Sequence, residues 1–189
     1  MKTIKNLLLA AVLLLSYNFT FAQLSIEPAL AIRPVSTVFG AGDFGLSAVT
    51  NYALNKRFSV ASYTSIINRF YQGGEINNVD VSYRMDINQL FGPGVQFHAR
   101  KSVHSIYLMA GLGFTSFKEK LQNPELELDQ SYSASHLGER FGLLYSWKRK
   151  VNEQINFTAR AFIPVKVFET VYPDFLEMTL EAGLSISLK

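Results

Sequence analysis

The sequence predicts an all-β chain, an eight-stranded antiparallel up-and-down transmembrane β-barrel. Three observations predict it: a period of two after Gln23, an alternation of short and long connections, and an N-terminal export signal. The 189 residues make one domain's worth of chain. With 48% hydrophobic and 17% charged residues, neither disorder nor a collagen-like repeat fits. There is no Cys, which excludes a disulfide scaffold, a thiol nucleophile, a Cys-based zinc cluster and a lipidated N-terminal Cys.

Residues 1–22 read as a signal peptide and 23–189 as the barrel domain. Lys2 and Lys5 form a positive n-region, Leu7 to Leu15 an apolar h-region, and Phe19-Thr-Phe-Ala22 supplies a small residue before Gln23. The apolar run is short for a helical span of about 20 residues, and no positive flank follows it. Cleavage near Ala22 removes two of the 18 basic residues and none of the 15 acidic ones, leaving 16 against 15. Beyond Lys148-Arg-Lys150, placed in a turn, there is no sustained basic run, so nucleic acid is not a supported partner.

Eight segments follow, at about 24–33, 42–54, 57–70, 78–100, 103–118, 132–147, 151–167 and 174–188. The first carries Glu27 and Arg33 on its polar parity. The second and third are separated by the tight turn Asn55-Lys56. In the fourth, Val79, Val81, Tyr83, Met85 and Ile87 oppose Asp80, Ser82, Arg84, Asp86 and Asn88. The same parity continues through Phe91, Val95, Phe97 and Ala99 against Gln96, His98 and Arg100. Phe91-Gly-Pro-Gly94 is the expected place for a bend or bulge, because Pro cannot donate to a ladder. Lys101-Ser102 turns the chain into the fifth segment, with Gly111-Leu-Gly113 inside it. The sixth ends at Lys148-Arg-Lys150. The seventh sets Ile155, Phe157, Ala159, Ala161 and Ile163 against Gln154, Asn156, Thr158 and Arg160. The last sets Leu176, Met178, Leu180, Ala182, Leu184, Ile186 and Leu188 against a face carrying Glu177 and Glu181.

Between the tight turns lie longer links at about 34–41, 69–77, 119–131 and 168–173. A meander with short turns at one end and long loops at the other produces that order. Alternation alone does not say which face is wet. A soluble barrel would bury the apolar parity, and a transmembrane barrel would turn it to lipid. The export signal, segments as long as the about 9 to 11 residues of a tilted span, and mixed-sign charge on the polar parity favour the membrane. Aromatics near segment ends, including Tyr52, Phe58, Tyr145 and Trp147, match interfacial girdles.

The signal ending Phe-Ala-Gln, the eight-segment meander, Leu90-Phe-Gly-Pro-Gly-Val-Gln-Phe97 and Ala110-Gly-Leu-Gly-Phe114 resemble small Bacteroidota outer-membrane β-barrel proteins. That family is the broad porin-like "outer membrane protein beta-barrel domain" group. The resemblance implies termini and short turns in the periplasm, longer loops at the cell surface, outer-membrane lipid as surroundings and insertion by the barrel-assembly machinery. One departure is the end of the chain. Such proteins commonly finish on an aromatic residue, whereas this one finishes Gly183-Leu-Ser-Ile-Ser-Leu-Lys189.

Candidate chemistry is sparse. His98, His104 and His136 fall in different segments without metal-ligand spacing, and no cofactor motif occurs. Ser135 and His136 are adjacent and so point oppositely from a regular strand. On one strand Glu177 and Glu181 would stand roughly 13 Å apart, too far to act together on one bond. The expected arrangement is an interior polar network of Glu27, Arg84, Asp86, His98, Arg160, Glu177 and Glu181, with Arg84 and Arg160 pairing the carboxylates across the lumen. No residue is assigned a catalytic or metal-binding role. The expected function is non-enzymatic, structural or binding through surface loops whose ligand the sequence does not name. A narrow passive channel is the main alternative, and a periplasmic lipocalin-like carrier of a hydrophobic ligand is the soluble one.

Overall fold

The computed structural model describes residues 23–34, 42–70, 79–123, 128–167 and 171–188; the expected signal peptide lies outside them. Among the described residues nine strands occur: β1 (Gln23–Ile32), β2 (Gly42–Ala53), β3 (Phe58–Phe70), β4 (Val79–Ala99), β5 (Ser102–Asn123), β6 (Leu128–Lys150), β7 (Ile155–Val167), β8 (Val171–Pro173) and β9 (Thr179–Leu188). Eight of them close into one antiparallel ring, in which β7 pairs with β9 and β9 with β1. The short β8 extends the β7 ladder above the end of β9.

The register gives the barrel its geometry. Gln23 is level with Ala53, and the same row continues through Ser59, Gly94, Tyr107, Leu144, Phe162 and Thr179. Thr179 stands one place beyond the Ile32–Leu180 pair, level with Arg33. One circuit therefore advances ten residues, from position 23 to position 33. With eight strands, that stagger tilts them by about 40° to the barrel axis. An apolar band about 25 Å tall then needs about 10 residues of each strand.

The two parities separate as outside and inside. Leu30, Leu46 and Leu108 point outward and are 69%, 63% and 65% exposed, whereas Glu27, Arg160 and Glu181 point inward at 1%, 3% and 5%. A soluble barrel carries the reverse arrangement, so the lipocalin-like reading loses its structural basis. Where the outward parity is polar, the groups satisfy one another. Thr64 Oγ1 donates to Gln89 Oε1 at 2.6 Å, and Gln89 Nε2 donates to Ser62 Oγ at 2.9 Å.

Pro28 and Pro93 sit inside paired strands, each beside a gap in one ladder. Pro28 falls where the β1–β9 pairs skip from Ile26 to Ala29, and Pro93 where the β4–β5 pairs skip from Phe91 to Gly94. The missing proline N–H is thus placed where no ladder bond is made. Beside each proline a glycine admits the neighbouring backbone. A Cβ on Gly183 would lie 2.0 Å from the Pro28 carbonyl oxygen, and one on Gly92 1.7 Å from that of Leu108.

Four expectations are corrected. The register is unbroken across Phe91–Gly94, and the β4–β5 irregularity lies instead between Val81 and Tyr83. The β5–β6 hairpin is longer than read, with Asn123 paired to Leu128, because its upper strands are polar on both faces and show no alternation. Lys148–Lys150 end β6, and the turn follows them. There Asn152 Oδ1 accepts from the backbone N–H of Gln154 and Ile155, as Asn55 Oδ1 does from Arg57 and Phe58 in the β2–β3 turn. Finally, Phe175–Glu177 form a single 3-10 turn rather than the start of β9. Glu177 and Glu181 therefore do not share a strand face.

Candidate functional site: a closed lumen below a projecting sheet

The inward side chains form three levels. Nearest the short turns is a polar vestibule of about 120 Å³ lined by residues that include Gln23, Asn51, Gln96, His98, Lys148 and Asn156. His98 is exposed at this mouth and forms no ion pair with a described residue, so it stands apart from the other expected network members.

Above the vestibule, four charges meet in pairs. Lys148 Nζ pairs with Glu27 Oε1, and Arg160 Nε donates to Glu181 Oε2 at 2.7 Å. The same guanidinium donates through Nη1 to the Glu27 carbonyl and through Nη2 to Ser47 Oγ, both at 2.9 Å. Ser25 Oγ donates to Glu27 Oε1 at 3.0 Å, and Tyr63 Oη donates to Glu181 Oε1 at 2.7 Å. Two cations face two carboxylates, so the cluster has no excess charge with which to select an ion.

At the same depth an apolar septum fills the remaining lumen. Val49, Ala61, Tyr63, Leu90, Tyr107, Met109, Leu144 and Phe162 form one buried cluster. Tyr63 stacks on Phe162 with ring centroids 4.9 Å apart, and Tyr107 Oη donates to Asn51 Oδ1 at 3.2 Å. Sequence reading missed this septum, although it left a trace: Leu90 lies on the parity of Asp86 and Asn88, and Phe162 on that of Arg160. Replacing Tyr63 by Phe keeps the stack but takes one donor from buried Glu181. The expected cost is about 1–3 kcal/mol, read as a lower unfolding midpoint in denaturant.

The third level lies toward the long links. Arg69 Nε donates to Asp43 Oδ1 at 2.7 Å, and Arg33 Nη1 to Asp86 Oδ2 at 2.6 Å, with Asp43 Oδ2 at 3.5 Å from the same nitrogen. Arg84 bridges Asp86 at 3.1 Å and Glu177 at 3.2 Å. Thr115 Oγ1 donates to Asp86 Oδ1 at 2.7 Å and accepts from Arg140 Nη2 at 3.1 Å. The structure thus places Arg84 against Asp86 and Glu177, and Arg160 against Glu27 and Glu181, in two separate networks. Arg33, Asp43, Arg69 and Lys148 complete them. The remaining pocket here holds about 20 Å³, room for about one water.

Beyond this level the ring opens into a sheet. β6 pairs with β7 only from Phe141 onward, whereas its thirteen residues from Leu128 to Arg140 pair with β5 alone among the described residues. Ser131, Tyr132, Ser133, Ser135, His136 and Leu137 are all exposed there. The serines and His136 have no catalytic geometry, since Ser135 and His136 point to opposite faces of the strand. Among the described residues, no group of three or more His, Asp or Glu could hold a metal ion.

No family model matches the sequence, and no curated protein matches it. Solved structures do. Ail, the attachment invasion locus protein of Yersinia pestis, is 15% identical with a TM-score of 0.54, covering 88% of this chain and 97% of its own. Neisserial surface protein A is 13% identical with a TM-score of 0.51, covering 89% and 96%. At this identity the likeness concerns architecture: the chain has the eight-stranded up-and-down barrel fold of small outer-membrane proteins.

Proposed function

We propose that the chain is a non-enzymatic outer-membrane barrel whose lumen is structural and whose β4–β5–β6 sheet is displayed at the cell surface for binding. The observation that carries this reading is the contrast between a filled interior and an exposed extension. The septum and two charge-paired networks occupy the lumen, while β6 continues past the ring with Tyr132 and Leu137 61% and 64% exposed. Outward apolar side chains and the fold shared with Ail and the Neisserial protein support the outer membrane as its location. The export signal at residues 1–22, the Phe-Ala-Gln junction and the internal glycine-rich stretches support the narrower Bacteroidota affiliation and insertion by the assembly machinery. In this orientation the short turns face the periplasm.

The native chain has no Cys, so single cysteines report topology cleanly. Ser135→Cys is expected to react with a membrane-impermeant maleimide on intact cells, and Lys56→Cys only after permeabilisation. The opposite pattern contradicts the orientation. In a planar bilayer the purified barrel is expected to give no discrete conductance steps. Regular single-channel steps would restore the channel reading.

A further inference from the structure

The short-turn end carries charge that the fold leaves uncompensated. Lys56, Arg57, Arg100, Lys101, Arg149 and Lys150 are all exposed there, and none forms a salt bridge with a described residue. The only acidic residue in these turns is Glu153. Asp43, Asp86, Glu139, Asp174 and Glu177 stand toward the other end. Six like charges around one small ring repel one another unless an anionic surface lies against them.

One part of this ring is shaped. A cleft of about 210 Å³ is lined by Lys101, Ser102, Trp147 and Arg149. The β5–β6 register sets Ser102 opposite Arg149, which brings the two cations to one rim. Trp147 forms a wall and is held edge-on against Phe157, with centroids 6.0 Å apart. Beside it, the Tyr145 hydroxyl and His104 Nδ1 lie 2.8 Å apart, and His104 Nε2 lies 3.2 Å from Ser102 Oγ. Ile106 and Leu108 continue the outward face above them. Cations, a hydroxyl and an indole therefore meet where the apolar wall gives way to water.

We propose that this cleft binds the phosphate headgroup of an anionic phospholipid in the adjoining leaflet. Lys101 and Arg149 would take the phosphate oxygens, the guanidinium by paired N–H donors, and Ser102 would donate a further hydrogen bond. Trp147 takes the glycerol and first methylenes, the amphipathic position that indole favours at a bilayer interface. A free phosphate ion would use the cations but not the aromatic wall, so the lipid is the occupant that uses the whole cleft. The inference rests on the chain being a membrane barrel, and that is checked separately in the test.

Trp147 is the only tryptophan in the sequence, so its fluorescence reports this site alone. The full-length mature barrel is refolded into phosphatidylcholine vesicles, and closure is confirmed by faster migration of unboiled protein on a gel. Failure at that step counts against the barrel reading, and the cleft is then assayed on barrel extracted already folded from membranes. Phosphatidylglycerol brominated near the glycerol end is then compared with equally brominated phosphatidylcholine at equal mole fraction. The expected result is about fivefold stronger quenching by the anionic lipid. Lys101→Gln with Arg149→Gln abolishes the difference while gel mobility is kept, and Lys56→Gln with Arg57→Gln preserves most of it. Equal quenching by both lipids overturns the proposal. So does equal loss in both double variants, which would mean a diffuse ring without a site. Competition by inorganic phosphate would reassign the cleft to a free ion, and competition by a soluble acidic polypeptide would reassign it to a protein partner.

Discussion

Arg160→Ala is expected to lower barrel stability by about 3–5 kcal/mol, read as a fall in the denaturant midpoint of barrel refolded in lipid. Arg160 is 3% exposed and its three guanidinium nitrogens donate to Glu181, Ser47 and the Glu27 carbonyl. Alanine leaves Glu181 in the lumen with only the Tyr63 hydroxyl against it, so an uncompensated charge remains where water is scarce. Replacing the pair together, Arg160→Met with Glu181→Gln, removes both charges and is expected to recover more than half of the loss. An unchanged midpoint in the single variant would mean that the lumen is hydrated enough to screen Glu181.

The second large effect belongs to Gly92. A Cβ there would sit 1.7 Å from the Leu108 carbonyl oxygen and 2.7 Å from its carbon, both backbone atoms. No rotamer change relieves such a contact; β4 and β5 have to part at the place where Pro93 has already interrupted their ladder. Gly92→Val is therefore expected to cost more than about 3 kcal/mol and to abolish the fast-migrating folded form. Gly138 is the control. Its nearest neighbour is the end of the exposed His136 side chain, at 2.7 Å, which can swing away. Gly138→Ala is expected to change stability by less than about 0.5 kcal/mol. Similar behaviour of the two variants would contradict a tight corner at Gly92.

The features legible in the sequence are those that a wall between two media imposes. Each ring strand has one face on an apolar surrounding and one toward the lumen, so Leu180, Ala182, Leu184, Ile186 and Leu188 alternate with Thr179, Glu181, Gly183, Ser185 and Ser187. Where that constraint ends, legibility ends too. Upper β5 and β6 are polar on both parities, so residues 119–131 read as a loop although Glu119–Asn123 pair with Leu128–Tyr132. At residues 174–178 the apolar parity of Met178 imitates a strand. The backbone instead turns, with the Asp174 N–H donating to the Pro164 carbonyl at 2.7 Å and that of Met178 to Phe175 at 3.3 Å.

Within the lumen, sequence reading set Arg84 and Arg160 against the carboxylates without resolving them into two networks. Arg84, Asp86, Arg160, Glu177, Glu181 and Glu27 all lie on inward parity or at the lumen mouth, yet which pairs meet depends on shear, a property of the closed ring rather than of any strand. Lys148 was hidden because a basic triplet resembles a turn, and Tyr63 because an aromatic on a polar parity has no local signature. His98 has the inward parity of its strand but sits below the networks, at the vestibule mouth.

The proposed role requires this ring to be closed within a bilayer, its apolar parity on lipid. Its most direct test is the gel mobility of boiled and unboiled protein after fractionation of the membranes. Recovery in the outer-membrane fraction is expected, with a compact, faster band that boiling converts to the slower unfolded one. Recovery in the soluble periplasmic fraction, with no mobility difference, would contradict it and return the apolar side chains to an interior.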